Sequence, residues 1–186
     1  MVKADVGLYF LAIVPKQPLR DRIRELKQEF AMAYHTKASL RSPAHITLHM
    51  PFQWKPDKED ILFKALSKLA GDVSNFSIEL NGFGAFKPRV IYLNVIAPEI
   101  LHELQQSISR MMKREFNIFN ANWRDYPFNP HLTLAFRDLR PAYFDQAWKE
   151  NKDRVFNESF EADSLVLLKH NQKEWEIFKE FPFLKS

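Results

Sequence analysis

Cysteine is absent from this 186-residue chain. Its absence excludes disulfides, a thiol nucleophile and Cys-based zinc sites together. Glycine is nearly as scarce, with 4 residues, and neither G-x-G-x-x-G nor G-x-x-x-x-G-K-[ST] occurs, so a glycine-rich nucleotide loop is excluded. No apolar run approaches the roughly 20 residues that a membrane helix requires. Residues 6–14, with Lys3 upstream, have the hydropathy of a secretory leader, but Asp5 interrupts the flank and no small-x-small site follows. Pro15 instead leads into an amphipathic segment. The expectation is a cytoplasmic protein with no membrane partner. Low-complexity tracts are also missing, which argues against disorder.

Apolar material is plentiful. The chain is 46% hydrophobic and 14% aromatic, with 17 Phe, enough to bury a sizeable core in one domain or two small lobes. A net charge of +4 fits an anionic partner, although a modest lysine surplus is common on ordinary soluble surfaces.

Threonine is rarer than glycine, with 3 residues, and two of them sit in the same tetrapeptide. His-x-Thr-Leu occurs as His45-Ile46-Thr47-Leu48 and as His131-Leu132-Thr133-Leu134. In a strand, residues i and i+2 point to the same face. Each motif therefore projects an imidazole beside a hydroxyl, and sends Ile46 and Leu48, or Leu132 and Leu134, into a core.

The motifs belong to a larger repeat. Residues 7–15 and 90–98 both read as buried strands stopped by proline. Leu19, Ile23, Leu26 and Phe30 then mark a helix, as do Leu101, Leu104, Ile108 and Met111 in the second half. An irregular stretch leads to each histidine. A second helix follows each motif, through Ile61, Leu62, Ala65, Leu66 and Leu69, and through Tyr143, Phe144, Ala147 and Trp148. Further strands are expected at 76–80, at 155–169 with a break, and at 175–181. Gly82 and Gly84, with Lys87-Pro88 just after, mark the turn region that joins the halves. The predicted class is α+β. A β-α-loop-β unit is used twice, in halves of approximately 1–85 and 86–186, with antiparallel-rich sheets lining a central groove and helices outside. The two lobes are expected to intertwine in one domain.

Two imidazoles and two hydroxyls suit phosphodiester chemistry without a metal. Histidine's ordinary pKa near 6.5 lets one ring be neutral and the other protonated near neutral pH. The neutral ring can take a proton from water or a ribose hydroxyl, and the protonated one can give a proton to the departing oxygen. The threonines can donate to non-bridging phosphate oxygens, where a carboxylate would repel them. A single His-x-Thr on a strand is ordinarily a satisfied histidine beside a β-favouring residue. Two copies at equivalent places in a repeat make that reading hard to hold. His49, four residues after His45, is expected to share its face, so a metal must be weighed. Zinc wants three protein ligands, the second copy has Ala135 at the matching position, and no carboxylate lies within four residues of either motif histidine. No metal and no cofactor are expected. His35, His102 and His170 stand outside any constellation.

Paired His-x-Thr-hydrophobic motifs in duplicated α/β lobes resemble the 2H phosphoesterase superfamily, which includes bacterial 2′-5′ RNA ligases and 2′,3′-cyclic phosphodiesterases. The resemblance rests on Pro43-Ala44-His45-Ile46-Thr47-Leu48, on Asn129-Pro130-His131-Leu132-Thr133-Leu134-Ala135-Phe136, and on 80–95 with Gly82-Phe83-Gly84-Ala85-Phe86 and Tyr92-Leu93-Asn94-Val95. It implies metal-independent action on RNA ends or small cyclic nucleotides. His45, Thr47, His131 and Thr133 would be catalytic, and for hydrolysis His131 would be the base and His45 the acid. Arg41, Phe52, Phe86, Arg124 and Tyr126, with Arg137 and Lys169, are candidates to stack on a base or hold further phosphates. A monomer is expected. The competing readings are an RNA- or nucleotide-binding module without turnover, and a phosphodiesterase of a non-RNA cyclic phosphate such as that of ADP-ribose.

Overall fold

The computed structural model describes residues 6–120 and 127–185. Among these, the strands are β1 (Gly7–Ile13), β2 (Ile46–Trp54), β3 (Phe76–Phe86), β4 (Val90–Ile96), β5 (His131–Ala135), β6 (Asn157–Ala162), β7 (Ser164–His170) and β8 (Trp175–Pro182). Four helices, α1 (Leu19–Tyr34), α2 (Glu59–Gly71), α3 (Glu99–Phe116) and α4 (Pro141–Asn151), fall between them. A 3-10 turn at Ala38–Arg41 precedes β2. The class is α+β, and the expected sheets are one continuous eight-stranded sheet in the order β6-β3-β4-β5-β2-β1-β7-β8. Every neighbouring pair is antiparallel.

The order is nearly symmetrical about the β5–β2 contact. β2 is flanked by β1 and β5 by β4, as in two copies of one unit. Beyond these the halves exchange strands: β3, which follows α2, pairs with β4, and β7, which follows α4, pairs with β1. The helices cross over in the same way, α1 packing against β5 and α3 against β2.

One side of the sheet carries the main core. Ile23, Leu26 and Phe30 of α1 and Leu101, Leu104 and Ile108 of α3 bury their apolar stripes against Tyr9, Leu11, Ile46, Leu48, Leu132 and Leu134. Each fully buried side chain of this kind contributes about 1.5–3 kcal/mol by leaving water. α1 and α3 both stop at a residue in the left-handed region, His35 and Asn117. The opposite face holds a smaller cluster of Phe10, Ala12, Val166 and Leu168. No helix of the described residues is long and apolar enough to cross a membrane.

One expected boundary moves. Gly82 and Gly84 lie inside β3, not in the connecting turn, which falls at 87–89. Gly82 has φ +66° where the β3–β4 register shifts, the backbone of a bulge that glycine adopts without strain. Gly84 sits opposite Tyr92, and a Cβ there would come within 2.3 Å of the Tyr92 ring and 2.5 Å of Asn94 Oδ1.

Candidate active site

The two motifs are adjacent in the sheet. β2 and β5 pair antiparallel at Ile46 and Leu132, the central residues of the two motifs. That register sets Thr133 beside His45, and Thr47 beside His131. Diagonal neighbours on one face of such a pair are about 7–8 Å apart, a separation that two imidazoles can span around one phosphate. Ile46, Leu48, Leu132 and Leu134 are fully buried in the core, while His45, Thr47, His131 and Thr133 are each partly open. The alternation read from the sequence is thus realised in both copies.

The histidines are held alike. His45 Nδ1 lies 2.8 Å from the carbonyl of Pro43, and His131 Nδ1 lies 2.8 Å from the carbonyl of Asn129. A carbonyl can only accept, so each Nδ1 carries the hydrogen, and each Nε2 is left as the nitrogen that can exchange a proton. Burial lowers the pKa of both rings, partly offset by these carbonyl contacts. His45 is driven further, to about 4, because the charge of Lys27 adds to its burial. His131 also acts electrostatically on His45.

Both strands bulge after the motif. Thr47 pairs with Ala12 but His49 with Leu11; Thr133 pairs with Tyr92 but Ala135 with Ile91. The extra residue turns position i+4 to the core face. His49 therefore does not share the face of His45, as strand alternation alone suggests it would. It is 1% exposed and edge-on to Phe52, with Nδ1 on the Met50 carbonyl. The duplication extends to this bulge, and only the residue placed there differs.

Each imidazole has an aromatic wall. Phe10 lies 4.9 Å from the His45 ring, backed by Trp175 at 4.6 Å, which in turn meets His170 at 5.0 Å. Phe86 and Tyr92 lie 5.0 Å and 5.1 Å from the His131 ring. Of the predicted binding residues, Phe86 is thus brought to the motifs. Phe52 is not: it is buried on the core face opposite Tyr9, the face it shares with Ile46 and Leu48. Lys169 likewise pairs with Tyr9 in register and binds Glu59 at 2.8 Å on the helix side. Arg41 is exposed at the end of the 3-10 turn. Arg137, at φ 54°, stands over the Phe136 ring and lines a cavity of about 330 Å³ with His35, Arg89 and Arg140. Arg124 and Tyr126 lie outside the described residues.

Sequence reasoning missed Phe10, Tyr92, Trp175 and Lys27. Phe10 and Tyr92 sit on the strands that pair with the motif strands, and only the pairing register separates them from the many core aromatics. Lys27 was masked by its neighbours, since it shares the apolar stripe of α1 and reads as a solvated residue at its edge.

The model of the 2′-5′ RNA ligase superfamily matches residues 15–174. The chain belongs to that superfamily. It is therefore among the 2H phosphoesterases, and is a phosphoesterase- or ligase-like enzyme. A protein of Geobacillus sp. (strain WCH70) named as a phosphoesterase is 27% identical over 178 residues, covering 93% of this chain and 94% of its own. One from Oceanobacillus iheyensis, with the same naming, is 25% identical over 176 residues, covering 93% and 96%. Among solved structures, TT0787 of Thermus thermophilus aligns with a TM-score of 0.68 at 19% identity, covering 95% of this chain and 97% of that one. E. coli LigT complexed with 3′-AMP aligns at 0.64 and 23% identity, covering 96% and 99%. These structures share the fold.

Proposed function

We propose that the chain is a metal-independent phosphodiesterase whose two His-x-Thr motifs act on 2′,3′-cyclic phosphates of RNA ends or nucleotides, or on 2′-5′ RNA linkages. The observation that carries this reading is the Ile46–Leu132 register, which sets both imidazoles and both hydroxyls on one partly open face. One neutral imidazole takes a proton from water through Nε2. The resulting hydroxide attacks phosphorus, and the other imidazole, protonated, gives its proton to the departing ribose oxygen. A phosphomonoester and a free hydroxyl result. Ligation is the same proton traffic with the hydroxyl of a second ribose attacking phosphorus in place of water. Thr47 and Thr133 donate to the non-bridging oxygens as charge shifts in the transition state.

Nucleotides as the ligand class are supported by the aromatic walls, which suit bases flanking the phosphate, and by E. coli LigT having been solved with 3′-AMP and with NADP+. The proposed setting is the cytoplasm. The proposed unit is a single domain of two interleaved halves, a reading supported by the exchange of β3 and β7 between them.

A panel of 2′,3′-cyclic nucleotides, cyclic-phosphate RNA ends, 2′-5′-linked dinucleotides and ADP-ribose cyclic phosphate, followed by phosphorus NMR, tests the reading. Turnover of a member of the first three classes, lost in His45→Ala and His131→Ala, is the expected result. Binding without turnover would convert the protein into a nucleotide-binding module. Turnover of the last compound alone would move the substrate outside RNA.

A further inference from the structure

The two halves differ behind their histidines. The buried face of α1 carries Ile23, Leu26, Lys27, Phe30 and Tyr34, and that of α3 carries Leu101, Leu104, Gln105, Ile108 and Met112 at identical spacing. The one long polar side chain on each of these faces is Lys27 or Gln105, one a cation and the other a neutral amide. Gln105 donates to Ser109 on its own helix at 3.0 Å. Lys27, only 2% exposed, points its ammonium into the loop before the first motif. Its Nζ lies 3.0 Å, 3.1 Å and 3.4 Å from the carbonyls of Ser39, Ser42 and Pro43. The last of these is the carbonyl that accepts from His45 Nδ1.

Three carbonyls satisfy the three ammonium donors, but among the described residues no carboxylate pairs with the charge. Several carboxylates on α1 and the elements packed against it are engaged elsewhere. Asp138 accepts from Thr36 and from the Lys37 and Ala38 amides, Glu150 from Tyr34, and Glu29 from Arg154. Other charged or titratable groups around the pair are Arg24 on α1, Arg41 on the 3-10 turn and His131 on β5, while β1 turns Phe10 and Ala12 toward that face. A buried cation acts on His45 in two ways. It repels an imidazolium through a poorly screened interior. It also draws on the lone pairs of the Pro43 oxygen, which weakens the acceptor that an imidazolium would need.

We infer that Lys27 is a positioning residue that keeps His45 neutral, so that His45 is the proton acceptor of the pair and His131 the proton donor; this rests on the paired-histidine reading above. It reverses the order implied by family resemblance, in which His45 is the acid. The pKa directions agree. His45 is depressed to about 4 with Lys27 as the second cause after burial, and no such charge acts on His131. Lys27, lowered by burial to about 7, is still charged across the acid range in which His45 would otherwise take up a proton.

The test is a histidine Cε1–Hε1 NMR titration of the full chain, assigned with His45→Asn and His131→Asn. In the wild type His45 should titrate about one pH unit or more below His131. Lys27→Met should raise His45 toward His131 and leave His131 in place. Lys27→Arg, which keeps the charge, should retain the wild-type order. The acidic limb of kcat/KM should move up in pH with Lys27→Met and stay put with Lys27→Arg. His45 titrating at or above His131 in the wild type, or unmoved by Lys27→Met, would overturn the inference. If Lys27→Met does not fold, Lys27→Gln, which keeps a polar donor and removes the charge, replaces it, and the wild-type comparison stands by itself. Failure of the underlying reading looks different: the histidines titrate in the stated order but no cyclic or 2′-5′ substrate turns over.

Discussion

The Phe86 ring stands edge-on to the His131 ring, with centroids 5.0 Å apart and planes at 88°. Phe86 is held there by Tyr92, 4.5 Å away, yet it keeps 38% of its surface exposed. A large aromatic left open beside a candidate proton donor is a natural platform for a base. Stacking of that kind is worth about 1–3 kcal/mol per base by alanine substitution. Phe86→Ala should raise KM for a cyclic nucleotide about tenfold and change kcat little. Steady-state kinetics with an unchanged KM would remove Phe86 from the substrate path.

His45→Ala and His131→Ala should each lower kcat by about 10²–10⁴-fold, the usual worth of one general acid or base. Thr47→Val and Thr133→Val keep the strand shape and remove one donor each, so a loss of about 10²-fold is expected. All four side chains are partly open, so their thermal midpoints should stay near that of the wild type. A midpoint collapse in the threonine variants would assign the hydroxyls to folding instead.

Much of this is legible in the sequence because two independent periodicities agree. The period-2 alternation of His-x-Thr-Leu marks the open and buried faces of β2 and β5, and the stripes through Ile23 and Leu101 mark α1 and α3. The bulges are not legible. Nothing in the local sequence marks the extra residue after Thr47, so simple alternation puts His49 on the wrong face. Strand exchange is hidden for a related reason. β3 and β7 pair across the halves, and long-range pairing leaves no periodic trace in the strand itself. Lys27 is hidden because burying a charge costs free energy, which makes an exposed stem the default reading of any lysine on a stripe.

Activity should survive prolonged treatment with EDTA. His45 and His49 lie on opposite faces of β2, with His49 paired to Leu11 in the core, so they cannot bind one ion together. Loss of turnover restored by an added divalent cation would show a metal requirement that this arrangement does not anticipate.

Gly84→Ala should damage both fold and site. The added methyl meets the Tyr92 ring at 2.3 Å and Asn94 Oδ1 at 2.5 Å, and both of these residues lie on the strand that pairs with the second motif. Overpacking of this sort costs typically about 1–3 kcal/mol. Relief requires Tyr92 to swing away, which disturbs the wall around His131. A lowered thermal midpoint together with reduced kcat/KM is expected. Gly82→Ala is the useful contrast, since no atom lies within 4 Å of its added carbon and only the positive φ is strained.

Acid should unfold the protein in a window set by its histidines. Burial lowers the pKa of His45, His49 and His131 from the ordinary 6.5, with His45 at about 4. Between those limits the unfolded chain binds more protons than the folded one, so stability rises with pH through that range and is lost as pH falls below 6.5. Proton uptake by the folded state ends the slope near pH 4, when His45 itself titrates. His49 allows this to be separated from catalysis. It is 1% exposed on the core face, and its buried Nε2 has no hydrogen-bond partner among the described residues, so protonating it means burying an uncompensated charge. His49→Leu should therefore flatten part of the fall in thermal midpoint between pH 6.5 and pH 4 while leaving turnover at neutral pH close to wild type. Thermal melts at half-unit pH steps would show it. An acid profile identical to the wild type's would mean that His49 reaches water before the protein unfolds.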